Sequence, residues 1–243
     1  MGITIKEVAS AADYKNFVMF QFDLYKDNKF WVPPIISDEI KALQREYNPA
    51  FKFCASKYWL AFQNGKVVGR IGAIVNQLAL QKTGENIGRF TRTEFINDDN
   101  VVDELFKVAE QWLKEQGMKV VQGPLGYTNL DHQGMMIEGH EHLPSAASEY
   151  HLPYYKDQLI RLGYDKSIDW IEFRLFIKEI PEKAQRISDM IIARNKLRVG
   201  HYSSSKELAP FAKDIFELLN TAFGELFSVV LLNEELVDYY IQR

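Results

Sequence analysis

The sequence predicts a mixed α/β (α+β) fold with a partly antiparallel sheet, followed by the start of a second, similar unit. Three observations predict it. The runs YWLAFQ and KVVGRIGAIVN flank Asn64-Gly65, a dipeptide that supplies the two φ > 0 positions of a two-residue hairpin turn. Strand-like and helix-like periodicities alternate over residues 1–180, which is the signature of a layered sheet-and-helix domain. Finally, the opening is echoed late in the chain: Tyr14, Val18 and Phe22 recur at a constant offset as Phe211, Ile215 and Leu219, and Phe30-Trp31-Val32 as Phe227-Ser228-Val229. Repetition on this scale points to tandem copies of one fold.

In chain order, ITIKEV (3–8) alternates with period two and reads as a strand. Tyr14, Phe17, Val18, Gln21 and Tyr25 follow helical spacing, which predicts an amphipathic helix over 11–26. Pro33 and Pro34 break the chain, and IKALQREYNPAF then reads as a short helix ended by Asn48-Pro49. Gly69 and Gly72 inside the second hairpin strand indicate a bulge or a close backbone approach. GRFTRTEFI (88–96) is a further strand. Asp98, Asp99 or Asn100 caps a helix with Val101, Val102, Leu105, Val108, Ala109 and Trp112 on one face, closed by Gly117. KVVQG (119–123) reads as a strand, PYYKDQLIRLGY (153–164) as a short helix and SIDWIEFRLFI (167–177) as a long strand. Pro181 opens a linker helix over 181–196. LRVGHY (197–202) then reads as a strand and 206–223 as a helix, so 197–243 is an incomplete second unit.

Composition sets outer bounds. Over 243 residues, 47% are hydrophobic and 26% charged, an ordinary globular balance. A net charge of −4 provides no global field toward nucleic acid or an anionic membrane, so neither is expected as a partner. Lys6 stands where a myristoylation signal requires Ser or Thr, and no window is long and apolar enough for a membrane span, so a cytoplasmic protein is expected. Cys54 is the single cysteine, which excludes an intrachain disulfide.

The phrases NGKVVGRIG and LIRLGYDK, with the element order over about 3–180, resemble the GNAT acyltransferase superfamily. Trp31–Pro34 (WVPP), Asn48–Phe51 (NPAF), Gly123–Tyr127 (GPLGY) and Asp169–Glu172 (DWIE) resemble a bacterial group of tandem GNAT-like proteins. The resemblance implies a GNAT-like mixed, mostly antiparallel sheet flanked by helices, and transfer of an acyl group from acetyl-CoA or another acyl-CoA to an amine. In that family the strand before the long helix offers backbone groups to the pantetheine, and a glycine-rich loop at the helix N-terminus receives the pyrophosphate. Here that loop reads INDDNVVDEL, without glycine and with Asp98, Asp99, Asp103 and Glu104 around the helix end. Carboxylates there cap the helix and repel a phosphate, so binding of CoA by this unit is expected to be weak or absent. Where the family places a general-acid tyrosine, four residues before Gly163, stands Leu159. No catalytic residue is therefore assigned.

The remaining candidates cluster in GPLGYTNLDHQGMMIEGH (123–140), which opens a connection of about thirty residues, far longer than the usual ~4–6. It lacks the Gly-Lys-[Ser/Thr] ending of a P-loop and reads as a loop covering a pocket. Tyr127, Asn129, Asp131, His132 and Glu138, with Tyr154 and Tyr155 beyond, are the candidate substrate-binding residues. Arg89 and Arg92 are the candidate cofactor contacts. Four histidines (132, 140, 142 and 151) fall nearby without a metal-binding spacing, so no metal site is expected. Two functions compete: an N-acyltransferase acting on a small-molecule amine, with this unit degenerate for CoA, and a non-catalytic ligand-binding or interaction module on a GNAT scaffold. The second expects a homodimer or partner contact through 197–243.

Overall fold

The computed structural model describes residues 2–176 and 178–242. Five strands, β1 (Thr4–Glu7), β2 (Cys54–Gln63), β3 (Lys66–Asn76), β4 (Ile87–Phe95) and β5 (Val120–Gln122), lie side by side in sequence order. The first three pairings are antiparallel and β4–β5 is parallel. A parallel pair needs a crossover, and α4 (Asp99–Glu115) provides it. This is a mixed, mostly antiparallel sheet flanked by helices, the GNAT-like architecture that the resemblance implies.

The hairpin turn forms at Asn64 and Gly65, with φ of 53° and 76°. The two strand glycines mark close approaches: a Cβ on Gly69 would lie 2.6 Å from Leu105 Cδ1, and one on Gly72 2.7 Å from the Tyr58 ring. A register break lies between Arg70 and Gly72, where β4 inserts an extra residue around Arg92 (φ 49°). The bulge re-aims the strand. Phe90 and Phe95, five residues apart, both pack on Phe106 of α4, which strict alternation would forbid. Arg92 and Glu94 then reach toward the opposite layer.

One face of the sheet meets α4, whose Val101, Val102, Leu105, Phe106, Ala109, Trp112 and Leu113 are all buried. Each such side chain contributes roughly 1.5–3 kcal/mol of burial free energy, less for alanine. The other face meets α1 (Ala11–Leu24), through Phe17 and Val18 against Tyr58 and Leu60. A capping box between Ser10 and Asp13 starts α1. α2 (Ile36–Ala42) begins four residues earlier than the sequence reading placed it. The prolines that break the chain leave Ile35 onward free to coil, and Asp38 and Glu39 suit a first turn. The sequence reading missed α3 (Gln77–Thr83), a short helix capped by Asn76 and closed by Gly84 at φ 70°. α5 (Tyr154–Arg161) forms as expected.

Among the described residues two expected strands are not formed. Residues 167–176 carry no regular secondary structure and no sheet pairing, and Ile177 lies outside the described residues. The alternating pattern is there, but no described strand flanks it, and Ile171, Phe173, Leu175 and Phe176 remain more than 70% exposed. LRVGHY (197–202) is likewise unpaired and exposed. Between them stands α6 (Glu182–Asn195), with no buried residue. The helix expected over 206–223 is broken by Pro210 into α7 (Ser205–Leu208), a 3-10 turn (Ala209–Phe211) and α8 (Ala212–Phe223), because proline lacks the N–H that would continue it.

The end of the chain returns to the sheet. Leu232, Leu236 and Val237, the last two in α9 (Glu234–Gln242), pack against Cys54, Ile74 and Tyr127. Polar contacts secure them: Lys52 to Glu235 at 2.7 Å, Thr128 to Tyr240 at 2.7 Å, and Lys82 to the Val229 carbonyl at 3.1 Å. Among the described residues no helix is long and apolar enough to cross a membrane.

Candidate functional site

The β4 bulge sets Glu94 directly opposite Arg70 of β3. Both are buried, and the closest N–O distance between them is 3.9 Å. Tyr25, which ends α1, and Tyr155, in α5, donate their hydroxyls to the same Glu94 oxygen at 2.7 and 2.6 Å. Burial pushes the Glu94 carboxyl above its ordinary value, against the opposing pull of Arg70, His151 and the Tyr155 hydrogen bond. Burial, then the charge of Glu94, raises both tyrosines well above theirs, so they stay protonated donors. Arg70 donates onward to the Phe17 carbonyl at 2.9 Å and to Gln21 at 3.2 Å. One carboxyl thus ties α1, α5, β3 and β4 together.

Beside it, Arg92 pairs with Glu39 of α2 at 2.6 Å. Burial opposes the charge on Glu39, but the adjacent guanidinium prevails and holds its pKa below the ordinary value. The Arg92 guanidinium also lies 5.9 Å from the Tyr127 ring centroid. Tyr127 is buried, with its hydroxyl against those of Tyr58 and Ser56, and its carbonyl accepts from Asn76 at 2.8 Å. Arg89 is buried and donates to the Gly126 carbonyl at 2.9 Å and to Ser228 at 3.2 Å. Both arginines expected to meet a cofactor are therefore engaged by protein groups.

The long connection spans 123–153 without regular secondary structure. Asp131 accepts the Thr128 N–H at 2.9 Å, a local turn that also places it against Gly126. His132 and Glu149 meet at 3.0 Å and join the two limbs of the loop. The buried His151 ring accepts the Met136 N–H at 3.3 Å. Asn129 Oδ1, Gln133 Oε1 and His140 Nε2 are buried without a hydrogen-bond partner among the described residues. Glu138 is exposed. No group of three or more His, Cys, Asp or Glu among the described residues is placed to hold a metal ion.

The free edge of β4 and the N-terminus of α4 are both closed by groups of the protein itself. At the β4 edge, the Phe95 carbonyl accepts from Tyr154 at 2.5 Å and the Phe95 N–H donates to Tyr155 at 3.0 Å. At the α4 N-terminus, Asp98 caps the Asn100 N–H at 2.9 Å. Gln158 reaches Asn97 and Asp99, both at 2.9 Å, and Arg161 reaches Asp103 at 2.6 Å. Two open surface hollows, of about 430 and 510 Å³, lie elsewhere, at 45–52 and between Glu110 and Val121.

The structure brings together Tyr127 with Arg92, and Tyr155 with Glu94; it leaves Glu138 apart. Sequence reasoning missed Glu94, Arg70, Glu39 and Tyr25, and it met Glu149 and His151 only as members of a cluster without metal-binding spacing. A signal existed for two of them: Arg70 in VVGRIGAIV and Glu94 in FTRTEF are charges inside runs that otherwise read as buried strand, and such charges require partners.

No protein-family model matches the chain. Over 157 residues it is 34% identical to Protein YghO of Escherichia coli (strain K12), covering 65% of this chain and 40% of that protein. Over 186 residues it is 28% identical to Bacterial ceramide synthase of Caulobacter vibrioides (strain NA1000 / CB15N), covering 76% of this chain and 48% of that protein. The matched part thus spans less than half the length of either curated relative. Among solved structures, an aminoglycoside acetyltransferase from an uncultured soil metagenomic sample, in complex with sisomicin, aligns with a TM-score of 0.44 at 9% identity, over 72% of this chain and 97% of that one. A tandem GNAT protein from the clavulanic acid biosynthesis pathway aligns with a TM-score of 0.44 at 13% identity, over 67% of this chain and 43% of that one. The mixed, mostly antiparallel sheet flanked by helices is GNAT-like in architecture.

Proposed function

We propose that this chain is the acceptor-side unit of an amine N-acyltransferase, and that acyl-CoA is held by polypeptide outside it. The observation that carries the reading is the closure of the β4 edge and the α4 N-terminus by Tyr154, Tyr155, Gln158 and Arg161. A pantetheine pairing with β4 would have to displace two hydrogen bonds at Phe95, and a pyrophosphate would meet Asp98, Asp99 and Asp103. In this reading residues 1–180 form one GNAT-like unit, 181–196 a linker helix, and 197–243 the start of a second unit.

The similarity to Bacterial ceramide synthase supports the acceptor class. A ceramide is an amide of a long-chain amino alcohol, so the reaction joins an amine nitrogen to a thioester carbonyl, breaks the C–S bond and releases the thiol. Asn129 Oδ1 and Gln133 Oε1, buried acceptors without a donor, suit the ammonium and hydroxyl groups of such a substrate. A second reading, a non-catalytic module on a GNAT scaffold, is favoured by the Glu94 cluster, whose hydrogen bonds are all made within the protein.

Thermal-shift titration of the chain with CoA, acetyl-CoA and a long-chain amino alcohol tests the proposal. A ligand at a hundred times its Kd adds about 2.7 kcal/mol to stability. The expected result is a shift with the amino alcohol and none with CoA at millimolar concentration. Stoichiometric CoA binding would overturn the division of labour. A chain that responds to neither ligand is the module of the second reading.

A further inference from the structure

The overall charge of −4 averages two regions of opposite sign. Residues 173–204 contain seven Lys and Arg against three Asp and Glu, a net +4, which leaves −8 on the rest of the chain. The same stretch is where apolar side chains face solvent. All its described residues are exposed except Ile192, which is half-buried. Phe173, Leu175 and Phe176, which precede α6, are each 77–80% exposed. On α6, Ile187, Met190 and Ile191 stand at i, i+3 and i+4 and share a face. Cations are interleaved with them: Arg174 sits 5.1 Å from the Phe176 ring centroid, and Arg186 and Arg194 border the helical apolar face.

We propose that the described residues of this stretch, 173–176 and 178–204, form a docking arm for an anionic lipid surface. A positive stretch that presents aromatic and aliphatic side chains matches the two attractions of such a surface: apolar burial at the headgroup boundary, and roughly 1 kcal/mol for each Lys or Arg near it. A neutral protein partner would explain the apolar residues but not their coincidence with the one strongly basic segment of an acidic chain. The arm lies flat rather than spanning, since α6 has 14 residues, short of the ~20 that a bilayer core requires. The inference goes beyond the acyl-transfer reading. It supplies what a lipid amine acceptor would need, access from the bilayer.

Vesicle co-flotation of the intact chain tests it, with phosphatidylcholine vesicles containing phosphatidylglycerol against phosphatidylcholine alone. The chain should bind only the anionic vesicles, and less as salt is raised. R174Q/K178Q should weaken binding about 30-fold, the effect of removing two such cations. F173S/F176S should also weaken it. Circular dichroism and thermal unfolding should be unchanged in both variants, because the side chains are exposed. Equal binding to both vesicle types, or no binding to either, would overturn the proposal. So would a stable dimer in light scattering whose arm resists trypsin without lipid, which would make a second copy the occupant. The assay contains neither acyl donor nor acceptor, so its failure and that of the acyl-transfer reading are distinguishable.

Discussion

Two helices written in the same spacing meet different fates. α1 carries Tyr14, Phe17, Val18 and Phe22 and buries Phe17 and Val18 against the sheet. α8 repeats the pattern with Ile215, Leu218 and Leu219 but buries only Ala212. Each is followed by a short acidic-started helix, α2 or α9. The difference is the sheet: α1 has β2 and β3 to lie on, while the later segments that carry strand patterning, 167–176 and 197–202, remain unpaired. Periodicity specifies which face needs cover. It does not supply the cover, and most helix stability comes from that packing.

The largest expected effect sharpens this contrast. Phe106 of α4 touches the rings of Phe90, Phe95 and Tyr164 in the main core, so Phe106→Ala should cost about 3–5 kcal/mol. Leu218 of α8 is 67% exposed, and Leu218→Ala should change stability by less than about 0.5 kcal/mol. Urea unfolding of the two variants gives both numbers. Comparable losses would mean that α8 is covered in solution and that the contrast fails.

Next in size is the buried carboxyl. Glu94→Ala leaves the buried Arg70 guanidinium without its counter-charge and two tyrosine hydroxyls without their acceptor, at a cost of roughly 3 kcal/mol. Glu94→Gln keeps an acceptor and should cost less. The pH dependence has a fixed sign. Burial raises the folded-state pKa above 4.5, so the folded form holds this proton more tightly than the unfolded form. Stability therefore falls as pH rises from about 4.5 through the folded value, and this component should vanish in Glu94→Gln. Chemical denaturation at a series of pH values, wild type against variant, checks it.

Much of the first unit was legible because local chemistry and fold agree there. Asn64-Gly65 dictates its turn, Asp98 caps α4 as its spacing announces, and the α4 apolar face is the buried one. The candidate site was legible only in outline. The hydroxyl of Tyr155, a candidate substrate contact, donates to Glu94 and accepts the Phe95 N–H. A bulge in β4 turns Arg92, a candidate cofactor contact, to Glu39. Neither could be read from sequence: Tyr25 and Tyr155, or Glu39 and Arg92, are brought together by a register shift and two helix placements that no local pattern encodes. The strands expected at 167–177 and 197–202 differ in kind, since an alternating pattern states a capacity to pair, and pairing needs a neighbour.

The smallest effect concerns the loop over this site. His132 and Glu149 close its limbs at 3.0 Å, about half and a third exposed respectively, so their pair is screened and worth well under 1 kcal/mol. It is nonetheless visible through pH. The hydrogen bond to Glu149 raises His132 above 6.5, so its contribution is complete below 6.5 and fades as pH rises through the folded value. Burial would raise Glu149, but the His132 bond and the nearby charges of His151 and Arg70 overcome it and bring it to about 2. That contribution is complete above 4.5 and fades as pH falls toward 2. The latch is therefore strongest between about 4.5 and 6.5, the two unfolded-state values. Hydrogen exchange across 128–150, corrected for intrinsic pH dependence, should show its greatest protection in that window, and His132→Ala should flatten the profile while leaving α4 protection unchanged. A profile that stays peaked in the variant would mean that the His132–Glu149 pair does not set the pH dependence, and the latch would fail.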